Sequence, residues 1–124
     1  MDGFLFALDV LELGLDLGLN IGVPIPFWKF GGVPPELRTA LERLSEQIEA
    51  DPKDAALYVK RGAVCQGLGH PAEAYADLAT SLRLQPNNAR AWLLLSECLA
   101  AMRHFDQART AHQQALALDP GVVV

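Results

Sequence analysis

The sequence contains few of the residues that build metal, redox and catalytic sites. Two cysteines and three histidines occur among its 124 residues. Cys65 and Cys98 lie far apart within helical patterns, and the histidines have no acidic companions at metal-ligand spacing. Phosphate-binding loops, dinucleotide fingerprints and serine-nucleophile motifs are also missing. We therefore expect no catalytic residue, no metal and no cofactor, and we expect both thiols to be buried structural groups.

Positive charge is scarce as well. Ten lysines and arginines stand against fifteen aspartates and glutamates, which gives a net charge of −5. The basic residues occur singly or as the pair Lys60-Arg61, a distribution typical of a solvated surface. Nucleic-acid binding requires a basic patch. We therefore do not expect nucleic acid as a partner.

A long apolar run free of charge is missing too. The chain begins with the apolar residues Phe4 to Leu8, but acids follow at Asp9, Glu12 and Asp16. A secretory signal needs a basic start and an uncharged apolar stretch. Carboxylates near the middle of a spanning helix are strongly unfavourable in lipid. These features predict a cytoplasmic protein.

The clearest positive feature is an internal repeat. Residues 55–88 align without a gap on residues 89–122, so the period is 34 residues. Apolar residues recur at helical spacing in both blocks, and prolines stop the helices. Helix pairs of this length bury their apolar faces by stacking on neighbouring pairs. The main equivalences are Tyr58 with Trp92, Gly62 with Ser96, Cys65 with Leu99, Ala74 with Ala108, and Pro86 with Pro120.

In these landmarks both blocks resemble the tetratricopeptide repeat family. Its signature is an aromatic residue, a small residue four positions on, a large residue three further, a small residue at the helix crossing and a closing proline. The chain departs from it where Cys65 replaces an aromatic, Arg103 replaces the turn glycine matched by Gly69, and His112 takes a usually apolar place. The resemblance implies an all-α fold, a right-handed superhelical stack of antiparallel helix pairs.

A further helix precedes the two blocks. Leu37, Leu41, Leu44 and Ile48 lie on one helical face. The pattern stops at Pro52, 34 residues before Pro86, so this helix looks like the second helix of a repeat. The matching first helix would occupy about residues 21–34, where three prolines and a glycine pair forbid it. We expect about two and a half repeats: an apolar Gly/Pro-containing segment 1–33, then a domain 34–124 with a half repeat 34–54 and repeats 55–88 and 89–122.

Residues 11–23, LELGLDLGLNIGV, allow two interpretations. Every odd position is apolar, which is the period of a half-buried strand, whereas Asp9, Glu12, Asp16 and Asn20 fall on one stripe of a helix. The helix is favoured because the leucine-rich, poorly β-branched sequence suits a strand badly; an edge strand in an assembly is the alternative. Either element is expected to replace the missing first helix and to pack on the array, another copy or a partner.

The resemblance also implies a binding surface. In this family the first helix of each pair lines a concave groove that receives a peptide or a helix. The groove is mostly apolar here and predicts an apolar helix or extended segment as the protein partner. It lacks the paired Lys and Asn residues with which chaperone-binding members clamp a C-terminal carboxylate. The matching positions are Ala56, Val59, Lys60, Ala63, Gln66, Arg90, Leu93, Leu94, Glu97 and Ala101.

Two alternatives place the interaction elsewhere. Residues 3–30 are expected to dock on a membrane surface or on other subunits, because aromatic and apolar residues concentrate there, although the acidic stripe disfavours anionic lipid. Self-association is the other, through this segment or through an uncapped apolar face at the C-terminal end. The proposed docking residues are Phe4, Phe6, Leu11, Leu15, Phe27, Trp28 and Phe30.

Overall fold

The computed structural model describes Trp28 and residues 32–122. Within this part the chain forms five α-helices and no strand: α1 Pro35–Ala50, α2 Ala55–Gly67, α3 Pro71–Leu84, α4 Ala89–Ala101 and α5 Phe105–Leu118. The expected all-α stack of helix pairs is confirmed. The helix-or-strand question at residues 11–23 lies outside the described residues, and the expected boundary at residue 34 stays a prediction.

The helices begin where local chemistry favours it. The Asp54 carboxylate accepts the backbone N–H two residues on at 3.1 Å, and the Asn88 side chain accepts the one three residues on at 3.2 Å. These N-caps satisfy donors that the first turn leaves free. Helices α1 and α3 instead begin on Pro35 and Pro71, whose missing N–H costs nothing in the first turn. Each pair thus starts its first helix with a polar cap.

An aromatic side chain ties the first helix of each pair to the loop before it. The Tyr58 hydroxyl donates to the Pro52 carbonyl at 3.0 Å. The Trp92 indole Nε1–H donates to the Pro86 carbonyl at 2.8 Å. Different aromatics at equivalent positions therefore make the same hydrogen bond, and the 34-residue equivalence holds at the level of single contacts.

The turn inside each pair has the same geometry in both repeats. The His70 N–H donates to the Cys65 carbonyl at 3.0 Å, and the intervening Gly69 has φ 82°. The second turn makes the matching bond at 2.8 Å, with Arg103 at φ 67°. Both are Schellman motifs, which place one residue in the left-handed region that suits glycine. Arg103 therefore adopts this conformation with a side chain present.

Consecutive helices pack on one another, and α2 also touches α4. At the crossing of α2 and α3, a Cβ on Gly62 would lie 3.1 Å from Cγ of the buried Leu78.

The two thiols are free and fully buried, as expected, and burial raises their pKa values to about 12. The largest fully buried side chains are Trp92, Tyr75, Leu41, Leu78, Leu82, Leu95 and Leu99.

The outer face of α5 is more polar than the corresponding face of α3. No described helix follows α5. Four residues of α3 are buried, whereas the equivalent residues of α5 are not. These pairs are Tyr75 and Arg109, Leu78 and His112, Ala79 and Gln113, and Leu82 and Leu116. Three apolar residues are thus replaced by polar ones at these positions, whereas Phe105 and Leu118 on α5 are exposed apolar residues. Self-association through this end stays a prediction.

Candidate functional site

The first helices of the two pairs meet side by side. The Gln66 side-chain Nε2–H on α2 donates to the Glu97 Oε1 on α4 at 2.7 Å. Both residues were predicted from the sequence to line the groove, and the structure brings them into direct contact. The bond joins successive repeats across the surface that α2 and α4 share.

The ten predicted groove residues differ in exposure. Those with open side chains are Ala56, Lys60, Arg90, Glu97 and Ala101. Val59, Ala63, Gln66 and Leu93 are half-buried, and three of these also pack against the core. Neither Lys60 nor Arg90 forms an ion pair with another described residue. The accessible surface therefore combines small apolar side chains with two available cations and one carboxylate held by an amide.

Leu94 departs from the sequence-based expectation. Its side chain is 7% exposed and belongs to the hydrophobic core, so it is not open to a partner. Its repeat equivalent, Lys60, is exposed. The difference follows from position in the stack: α2 lies beside α4, whereas no first helix precedes α2 among the described residues.

Trp28 is the described member of the predicted N-terminal docking set. It is 5% exposed and joins the hydrophobic core together with Val33. Its ring therefore packs on its own helix stack, which contradicts the expectation that it docks on a membrane or another subunit. The six other docking residues, Phe4, Phe6, Leu11, Leu15, Phe27 and Phe30, lie outside the described part of the chain.

A polar cluster around Arg61 joins three helices. Its Nε and Nη2 each donate to one carboxylate oxygen of Asp77 on α3, both at 2.8 Å. Its Nη1 donates to the Ser45 hydroxyl on α1 at 3.0 Å. The guanidinium also lies over the Trp28 ring, 5.7 Å from its centroid. The Lys60-Arg61 pair is thus not uniformly a solvated surface, and the sequence-based interpretation is wrong for Arg61.

The electrostatics of this cluster reflect burial and pairing together. Burial alone would lower the pKa of Arg61, but the hydrogen bonds and the charge of Asp77 raise it above its usual value. Burial raises the pKa of Asp77, and Arg61 opposes that rise. A signal for the cluster was present in the repeat alignment, because Arg61 and Asp77 stand where the second repeat has Leu95 and Ala111.

Two further features concern chemistry and location. In the described ranges, no group of three His, Cys, Asp or Glu side chains could hold a metal ion. None of the described helices is long and apolar enough to cross a membrane. The predicted groove residues on α2 and α4 remain the candidate functional surface of this part of the chain.

Comparison with known proteins agrees with this geometry. Residues 66–122, from the end of α2 through α5, match the family model described as tetratricopeptide repeat. A DnaJ homolog subfamily C member 7 homolog from Dictyostelium discoideum is 25% identical over 87 residues, which covers 67% of this chain and 16% of that protein. The chain thus spans a small part of that relative's length. Tetratricopeptide repeats typically serve protein–protein interaction and not catalysis. The repeat landmarks and the helix pairs agree with this match, and residues 66–122 are similar to tetratricopeptide repeats.

Proposed function

We propose that this protein binds a segment of a partner protein, an apolar helix or extended peptide, across the shared face of α2 and α4. We define this groove by its open or half-open residues: Ala56, Val59, Lys60, Ala63, Gln66, Arg90, Leu93, Glu97 and Ala101. The observation that carries the proposal is the Gln66–Glu97 hydrogen bond, which joins the two helices expected to line the groove. The role proposed is that of a non-catalytic adaptor or assembly factor acting in the cytoplasm.

The composition of the groove supports an apolar ligand. Small side chains such as Ala56 and Ala101 allow a partner backbone to approach closely, and Leu93 offers a half-exposed apolar contact. A helix laid in such a groove contributes residues at intervals of three and four. Lys60 and Arg90 provide polar contacts at the edge, which serve selectivity more than affinity.

Capture from cell extract tests the proposal with two variants of the full chain. Ala101→Glu adds a charge and bulk to the groove, and Arg90→Glu reverses a charge there. Both positions are exposed, so the fold is kept. Leu84→Glu is the matched control, because Leu84 is an exposed apolar residue of α3 outside the groove. Circular dichroism confirms that both variants are folded before mass spectrometry compares the captured proteins.

The expected result is a set of proteins captured by the native chain and by Leu84→Glu and lost with the groove variant. Loss of an interface anchor costs more than about 1 kcal/mol, so affinity should fall at least about fivefold. Equal capture by both variants contradicts a groove site. Light scattering on the same samples separates a partner protein from a second copy of this chain.

A further inference from the structure

The polar cluster around Arg61 has an apolar counterpart one repeat later. Ser45, Arg61 and Asp77 join α1, α2 and α3, and they stand where Ala79, Leu95 and Ala111 join α3, α4 and α5. The three counterparts are each at most 2% exposed. The same junction between three helices is therefore built once with charges and once without them.

Helix packing alone does not require the charged version. A buried ion pair loses solvation on both partners, and apolar residues of similar size often replace one without loss of stability. The second junction shows such a replacement within this chain. The charged pair of the first junction is therefore explained by a contact that the second junction does not make.

Trp28 supplies that difference. The first junction carries its indole over the Arg61 guanidinium, and both Trp28 and Val33 are buried in the core. A cation over a tryptophan face is the strongest pairing of its kind and gains further from desolvation. Arg61 donates two hydrogen bonds to Asp77 and a third to Ser45, and these three bonds orient its guanidinium beneath the indole.

We propose that Arg61, oriented by Asp77 and Ser45, is a latch that docks Trp28 on the helix stack by holding its indole. The occupant of this end of the stack is then the chain's own Trp28, packed in the core together with Val33, where no first helix of the half repeat is described. Docking of Trp28 on lipid or on another protein would have to break this contact. The proposal is independent of what the groove binds.

Tryptophan fluorescence tests the latch directly. The chain has two tryptophans, and Trp92→Tyr leaves Trp28 as the only one. Tyrosine suits that position, because Tyr58 makes the equivalent hydrogen bond in the first repeat. In this background the paired substitution Arg61→Leu with Asp77→Ala replaces the ion pair by Leu and Ala, the residues that the second junction has at positions 95 and 111.

The expected result is a folded protein with a released tryptophan. Helical circular dichroism and the thermal midpoint stay near those of the Trp92→Tyr parent, whereas Trp28 emission shifts to the red and acrylamide quenching rises toward that of free tryptophan. Arg61→Lys keeps the charge but loses the planar two-bond grip, and its quenching should lie between the two.

Three outcomes overturn the latch. If the paired variant stays folded with Trp28 as protected as in the parent, apolar contact alone holds Trp28. If the paired variant loses its helical signal, the ion pair serves helix packing and not the tryptophan. An Arg61→Lys protein with unchanged quenching also contradicts the proposal, since the oriented guanidinium would then be dispensable.

Discussion

Replacing Arg103 with glycine should stabilise the protein. Arg103 lies in the left-handed region at φ 67°, at the same point of the turn as Gly69 at φ 82°. A residue with a Cβ loses roughly 1–2 kcal/mol there, because the Cβ crowds the following carbonyl. Glycine removes this strain, but it lowers the free energy of unfolding by about 0.4–1 kcal/mol because the unfolded chain gains conformational entropy. The net gain is about 0.5–1 kcal/mol.

The assay is reversible thermal and urea unfolding of the full chain, followed by circular dichroism. A gain of this size raises the Tm by about 2–8 °C in a domain of this size. Arg103→Ala is the matched control, because it removes the same exposed side chain and keeps the Cβ. The reciprocal Gly69→Ala should destabilise by about 1 kcal/mol, since it introduces the strain that Arg103→Gly relieves. The reasoning is refuted if Arg103→Gly and Arg103→Ala have equal stability.

Three further predictions concern buried groups. Ser81→Ala should raise the free energy of unfolding by about 1 kcal/mol, because its buried hydroxyl makes no hydrogen bond with a described residue; urea unfolding that shows no gain contradicts this. Gly62→Ala should lower the Tm, because its Cβ would crowd the buried Leu78. Gly67→Ala should raise the Tm, because its Cβ meets nothing within 4 Å and alanine has the higher helix propensity. Equal Tm shifts in the two variants would contradict the crowding at Gly62. The free energy of unfolding should fall as pH rises from 9 toward 12, because the unfolded chain releases protons that the folded chain keeps. A Cys65→Ala/Cys98→Ala variant should show a shallower decline in an alkaline titration. An unchanged slope would show that the thiols do not cause the decline. Burial raises to about 12 the pKa of three groups: Cys65, Cys98 and Tyr75.

The helix pairs were predictable because their signals are local. Asp54 and Asn88 cap helices, Pro71 opens one, and the prolines after α3 and α5 exclude their continuation. Each signal acts within a turn or two of the residue that carries it. The 34-residue period then repeats the pattern and makes the pairing specific. The contact between Gln66 and Glu97 follows from that period, since both positions face the same side of the stack.

The Arg61 cluster was missed because its signal is not local. Beside Lys60, Arg61 has the pattern of a surface residue, and its burial depends on α1, α3 and Trp28, which are distant in sequence. Trp28 was misassigned for the same reason, since an aromatic among prolines suits an exposed docking segment equally well. Leu94 was misplaced because a repeat alignment ignores which neighbouring helix is present.

A photo-reactive amino acid in the groove tests the central claim most directly. Benzoylphenylalanine at Ala101, an exposed groove position, is compared with the same residue at Leu84, exposed on α3. Irradiation in cells followed by mass spectrometry identifies what touches each site. The account predicts a discrete partner protein, cross-linked through an apolar segment, at Ala101 and not at Leu84. Equal cross-linking from both positions, or cross-links from Leu84 alone, would contradict a partner-binding groove formed by α2 and α4.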